Sequence, residues 1–151
     1  MSTRTGFLRI AAAAALVGFG LAGCGMMQSM GSNTETFTAT MSGAQESPPV
    51  STGGSGNAEV VYHRDTGALD YSVSYGGLSG PATAAHIHGP AAPGANAGVV
   101  VPFTNVGSSP IRGQVKITPQ QYEQLAAGQW YANVHTAAHP AGEIRGQLRR
   151  R

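Results

Sequence analysis

The chain contains one cysteine, Cys24, so no disulfide can form within it. Charge is scarce as well: Asp, Glu, Lys and Arg make up 11% of the residues and the formal net charge is +2. No apolar stretch reaches the roughly 20 residues that a bilayer-spanning helix requires. There is no internal repeat, no Ser-His-Asp set at a recognisable spacing and no Gly-rich strand-to-helix turn of the kind that cradles phosphate. These absences argue against a disulfide scaffold, a membrane-spanning helix and the commonest hydrolase and nucleotide sites.

The first 33 residues read as targeting and tether. Arg4 and Arg9 form a positive n-region, Ile10 to Leu21 an apolar h-region, and Leu21-Ala22-Gly23-Cys24 follows. This Leu-Ala-Gly-Cys run resembles the lipobox of bacterial lipoproteins. The expectation is therefore a signal peptide over residues 1–23 and a lipidated Cys24 at the mature N-terminus. Residues 24–33 then form a lipid anchor and flexible tether, rich in Gly, Ser and Met. Gly25 is not the acidic residue that often retains lipoproteins at the inner membrane. The resemblance thus implies a lipid-anchored, extracytoplasmic protein of the cell envelope, with the outer membrane favoured over the inner. Loss of Arg4 and Arg9 leaves seven basic against seven acidic residues. A near-neutral domain offers no electrostatic case for nucleic acid. Its basicity gathers in Arg145 and in residues 149–151, read as a solvated basic tail.

From Thr34 onward the pattern is β. In Ala68 to Tyr75, Leu69, Tyr71, Val73 and Tyr75 alternate with Ala68, Asp70, Ser72 and Ser74, the signature of a sheet wet on one face. Arg64-Asp65-Thr66-Gly67 has the composition of a hairpin turn. Ser42 to Ser55, with Pro48-Pro49, reads as a long loop, and Pro102 places the Val99 strand at an edge. One helix is predicted over about 119–127: Thr118 and Gln121 make a capping box, Pro119 suits the first turn, and Gly128 supplies the stop. The fold class is all-β, a Greek-key-like sandwich or barrel of about eight short strands with one short helix, spanning residues 34–148.

The chemistry concentrates in histidine. His86 and His88 stand at i and i+2 in Ala84-Ala85-His86-Ile87-His88-Gly89-Pro90, and would share one strand face. His135 ends a second β-type run, Tyr131-Ala132-Asn133-Val134-His135-Thr136, on a face with Tyr131 and Asn133. Two imidazoles from one strand and a third from another suit copper or zinc, and three such ligands leave a position open. His139 is an optional fourth ligand, and Glu143 and Asn133 are candidate outer partners that orient a ring. The alternative is that the same histidines only hydrogen-bond strands and loops together, with no cofactor. His63, beside the hairpin turn, reads as a surface residue. Glu143 and Arg145, at i and i+2, also suit an ion pair or polar ladder, and Glu46 is a further carboxylate to watch.

Five ordered blocks carry a family likeness. They are Phe37 to Val50, Gly77-Leu78-Ser79-Gly80, Ala85-His86-Ile87-His88-Gly89, Gly128 to Thr136, and Pro140 to Leu148. The set resembles the CHRD domain, named for the developmental inhibitor chordin and found widely in bacterial secreted proteins. Ala141 replaces a glycine common at that point of the family. The resemblance implies an all-β, extracytoplasmic module with no well-established catalysis, hence a binding module. A metal-free surface module that contacts protein or glycan is the alternative. A redox enzyme is a more distant one: copper-zinc superoxide dismutases also mount His-x-His on a β-sandwich, but no further ligand motif of theirs is present here.

Overall fold

Alternation alone explains which faces meet inside. Phe37, Ala39 and Met41 of β1 (Thr34–Ser42) point inward, as do Ala58, Val60 and Tyr62 of β2 (Ser55–His63) and Leu69, Tyr71 and Val73 of β3 (Ala68–Gly76). Ala85 and Ile87 of β4 (Ala82–His88), Val101 of β5 (Val99–Pro102) and Ile111 of β6 (Ile111–Lys116) complete that core with Ala132 and Val134 of β7 (Tyr131–Thr136) and Ile144 of β8 (Ile144–Gln147). The computed structural model describes Met1 and residues 33–151. The expected signal peptide beyond Met1, the expected lipidation site Cys24 and all of the expected tether but Asn33 lie outside the described residues. Among those described, no helix is long and apolar enough to cross a membrane.

The strands pair in the order β5-β4-β7-β8-β1-β2-β3-β6, antiparallel throughout, and curl into a nearly closed barrel. The two free edges, β5 and β6, are consecutive in the chain, and residues 103–110 between them cross the seam. Phe103 stacks on Tyr71 with ring centroids 4.4 Å apart, while the Tyr75 hydroxyl donates to the Val106 carbonyl. Closure of this kind hides strand edges that would otherwise invite pairing. Tyr75 stays packed against the core while its hydroxyl helps hold the seam.

The helix α1 (Pro119–Ala126) forms as expected, with Thr118 Oγ1 accepting from the Gln121 backbone N–H and the Gln121 side chain accepting from that of Thr118. Leu125 plugs into the core, and Tyr122 stacks on Tyr62 while its hydroxyl donates to Glu35. The terminal arginines are exposed, as a solvated tail would be, but they are also ordered. Arg149–Arg150 form a ninth strand, β9, on β1, opposite Thr38 and Phe37. The β1 edge beside β8 is left unpaired over these residues, and the chain end completes its ladder. Arg150 and Arg64 both pair with the buried Glu35, and Arg149 donates to the Gly128 carbonyl. His63 is half-buried and lies 2.7 Å from Asp70 across the hairpin, an ion pair whenever the ring is protonated.

A candidate metal centre on the covered face of the barrel

Register decides the site. Across β4 and β7, His86 faces Asn133, His88 faces Tyr131 and Ala84 faces His135; across β7 and β8, Asn133 faces Arg145. Since Ala85, Ile87, Ala132 and Val134 point into the core, these polar neighbours share the outer face of the same three strands. Most of that face is covered, with His86 half-buried at its margin. Every residue of β7 is buried on both sides of the sheet, because the β4–β5 loop, the β1–β2 loop and the turn after β7 fold over it. Arg145 reaches up to this cover: its guanidinium lies 3.4 Å from the Tyr131 ring centroid and donates to Asn96 Oδ1 and to the Ala95 carbonyl.

The three imidazoles converge. His86, His88 and His135 each offer a ring nitrogen, and these atoms all lie within 4.8 Å of one another. Nδ1 of His88 lies 3.0 Å from the carbonyl oxygen of Ala97, and Nδ1 of His135 lies 3.0 Å from that of Pro140. A carbonyl only accepts, so both Nδ1 atoms carry the proton and both Nε2 atoms are bare in the neutral rings. The bare Nε2 of His135 sits 3.1 Å from His86 Nδ1 and 3.0 Å from Asn133 Oδ1. His88 Nε2 lies 3.1 Å from that same amide oxygen, and its ring stacks on Tyr131 with an interplanar angle of 5°. A proton on His86 Nδ1 serves His135. The amide oxygen and the His88 lone pair still face each other with no hydrogen between them. A cation relieves that arrangement, as does a turn of the amide that presents Nδ2 to the rings.

Protonation does not relieve it easily. Burial, with the charges of His135 and His88, pushes His86 down to about 4, and burial also lowers His135 against the pull of the Pro140 carbonyl. Neutral imidazole is the form that binds metal. The donor set is three ring nitrogens plus one amide oxygen, a combination suited to zinc or divalent copper.

The remaining expected residues divide. His139 does not join the cluster; its backbone closes a tight turn with Thr136, which instead delivers the Pro140 carbonyl to His135. Glu143 does not orient a ring, and it makes no ion pair with Arg145. Fully buried, it accepts from the hydroxyls of Thr52, Ser79 and Thr136 and from the Ser79 backbone N–H, which outweigh its burial and hold it at about 2. Its oxygens are saturated by hydroxyls from two covering segments, so none is left for a histidine. Asn133 is nearer than an outer partner, touching two rings directly. Glu46 also belongs to the surroundings: buried, with Oε1 lacking any hydrogen-bond partner, it is pushed up to about 7 by burial against the charge of Arg145. A methyl on Gly142 would collide with Glu46 Oε1 and crowd Asn133 Nδ2 at 3.0 Å, so only glycine (φ +135°) lets both side chains meet there. The sequence marks Glu46 only as a carboxylate to watch and Ser79 only as part of a family block, and carries no hint of Thr52 or of what any of the three would touch. They lie in loops, where periodicity says nothing.

Against known proteins, a family model described as the CHRD domain matches residues 37–148. No curated protein and no solved structure gives a match.

Proposed function

The chain belongs to the CHRD domain family, and from that premise we propose that it is a non-enzymatic binding module that holds a copper or zinc ion through His86, His88 and His135. The observation that supports this most is the pair of backbone carbonyls, Ala97 and Pro140, that take the Nδ1–H groups of His88 and His135 and leave both Nε2 lone pairs turned to a common point. Metal-binding histidines are oriented in this manner, by a fixed acceptor on the far nitrogen. The proposal includes the setting read from the sequence: a lipid on Cys24 anchors the module outside the cytoplasm at the cell envelope, the outer membrane favoured, where it stores, delivers or sequesters the ion.

Metal analysis of protein purified without a histidine tag tests the reading. Stoichiometric copper or zinc, lost in His86→Ala and His135→Ala, is expected. Absence of both metals, with those variants melting like wild type in added metal, defeats it. Mass spectrometry of the mature N-terminus tests the anchor, and an unmodified Cys24 removes it. A metal-free module for protein or glycan draws support from a different face: a shallow concavity of about 730 Å³ outside β1, β2 and β3, floored by short polar side chains such as Thr40, Asn57 and Ser74.

A further inference from the structure

We infer that Asn133 supplies a fourth donor, through Oδ1, to the ion held by His86, His88 and His135, and so closes the site to exogenous ligands. This rests on the metal reading above. The geometry behind it is specific. Oδ1 lies 3.0 Å from His135 Nε2 and 3.1 Å from His88 Nε2, while His86 Nδ1 stands 3.1 Å from His135 Nε2. Four donors about one ion at 2.0–2.2 Å lie roughly 3.3–3.6 Å from one another, so admitting the ion opens these three contacts slightly and draws in the wider separations among the ring nitrogens, which lie within 4.8 Å of one another, with the amide oxygen already in place. The amide is also held at that depth. Asn133 is 3% exposed, its strand is buried on both faces, and its backbone partners on either side are His86 and Arg145.

The far end of the amide fits as well. Nδ2 points to the side of Gly142 where the unpartnered Glu46 Oε1 is packed. Three imidazoles and an amide are all neutral, so a divalent ion among them leaves two positive charges inside, beside the buried Arg145. Glu46 is a buried carboxylate on this face whose second oxygen lacks a donor, and it supplies compensating charge behind the amide. A four-donor site with no open position retains an ion; it does not present one to a substrate. Among late first-row ions, an N3O set without thiolate or thioether favours zinc and divalent copper over monovalent copper. The same closure argues against metal-centred turnover by this domain.

The test uses the mature full chain loaded with cobalt(II) as an optical reporter, with azide as the probe of an open position, and zinc alone for affinity. Wild type is expected to give the intense visible bands of four-coordinate cobalt(II), unchanged by azide. Asn133→Ala is expected to weaken zinc about 10–100-fold and to make the cobalt spectrum respond to azide. Asn133→Asp, which keeps an oxygen at the same place, restores zinc affinity and azide indifference, and so controls for a folding defect in the alanine variant. Glu46→Gln is expected to weaken zinc while leaving the cobalt band shape and azide indifference intact. Azide-responsive wild type, or Asn133→Ala with unaltered zinc affinity and spectrum, overturns the fourth donor while leaving the three-histidine site standing. Failure of wild type to take up cobalt or zinc overturns both.

Discussion

The barrel has two halves built on the same alternation and put to different uses. In β1, β2 and β3 the inward residues are apolar except Glu35, which is buried near the start of β1 against Arg64, Arg150 and Tyr122, and the outward ones, Thr40, Asn57 and Ser74 in one cross-strand row, look onto solvent. In β4, β7 and β8 the inward residues are equally apolar, but the outward His88, Asn133, His135 and Arg145 are buried under loops, with His86 half-buried beside them. Alternation is set by backbone geometry and is the same in both halves. Coverage is set by the loops. A polar residue beneath a loop must find a partner or carry a cost, which is why the covered half holds hydrogen-bonded rings, a stacked guanidinium and two buried carboxylates.

The largest break in that comparison comes from Glu143. Four donors from Thr52, Ser79 and Thr136 converge on it and tie the β1–β2 loop and the β3–β4 connection to the end of β7. Its depressed pKa, about 2 against 4.5, corresponds to roughly 3 kcal/mol at neutral pH. Because the folded-state value is the lower one, this stability is present above pH 4.5 and is lost as pH falls toward 2. Glu143→Gln is expected to cost about that much in urea unfolding at pH 7. A loss under 1 kcal/mol would mean the loops are held by something else.

Next in size is the ion. A ligand that binds only the folded state, at a free concentration 100 times its Kd, stabilises by about 2.7 kcal/mol. Zinc or copper is expected to raise the melting midpoint of wild type accordingly, and to leave His135→Ala where chelator leaves it. An equal rise in both proteins moves the binding to some other part of the chain.

Acid–base behaviour sharpens the contrast further, because two groups of the covered half oppose each other. His86, folded value about 4 against 6.5, is favoured neutral by the fold, so its contribution is complete above pH 6.5 and is lost as pH falls through 4. Glu46, about 7 against 4.5, is favoured protonated, so its contribution is complete below pH 4.5 and is lost as pH rises through 7. Between pH 4.5 and 6.5 the two slopes have opposite signs. In chelated protein, Glu46→Gln is expected to steepen the rise of stability with pH over that window, and His86→Ala to turn it downward. Parallel curves for the two variants would show that the groups do not titrate as placed.

Much of this was legible in the sequence, and the boundary is physical. Thr118-Pro119 and Gln121 specify the helix start through local hydrogen bonds, and the observed helix ends within one residue of the expected position. Leu69, Tyr71 and Val73 point inward as their spacing requires. The His86/His88 pair follows from strand period, and its meeting with His135 was readable only as an expectation, because strand pairing is a long-range choice. Period is silent about loops, so the partners of Glu143 and the burial of Glu46 were invisible. The ninth strand was missed because Arg149–Arg150 carry charge and no alternation; their pairing is decided by the vacant edge of β1.

The smallest effect belongs to the open half, and its smallness is the point. Thr40 is exposed on the outer face of β1, and Glu59 is an exposed neighbour on β2 whose nearest cation, Arg151, is 3.8 Å away. Exposed pairs of that kind contribute 0–1 kcal/mol, and surface substitutions away from special features change stability by about 0.5 kcal/mol or less. Thr40→Ala and Glu59→Gln are therefore expected to melt within error of wild type, with zinc response intact, although they occupy the same alternation as Asn133 and Arg145. A loss above 1 kcal/mol in either would show that this face is covered too, and the concavity over β1 to β3 would then be a packed interior surface and no longer a candidate for protein or glycan contact.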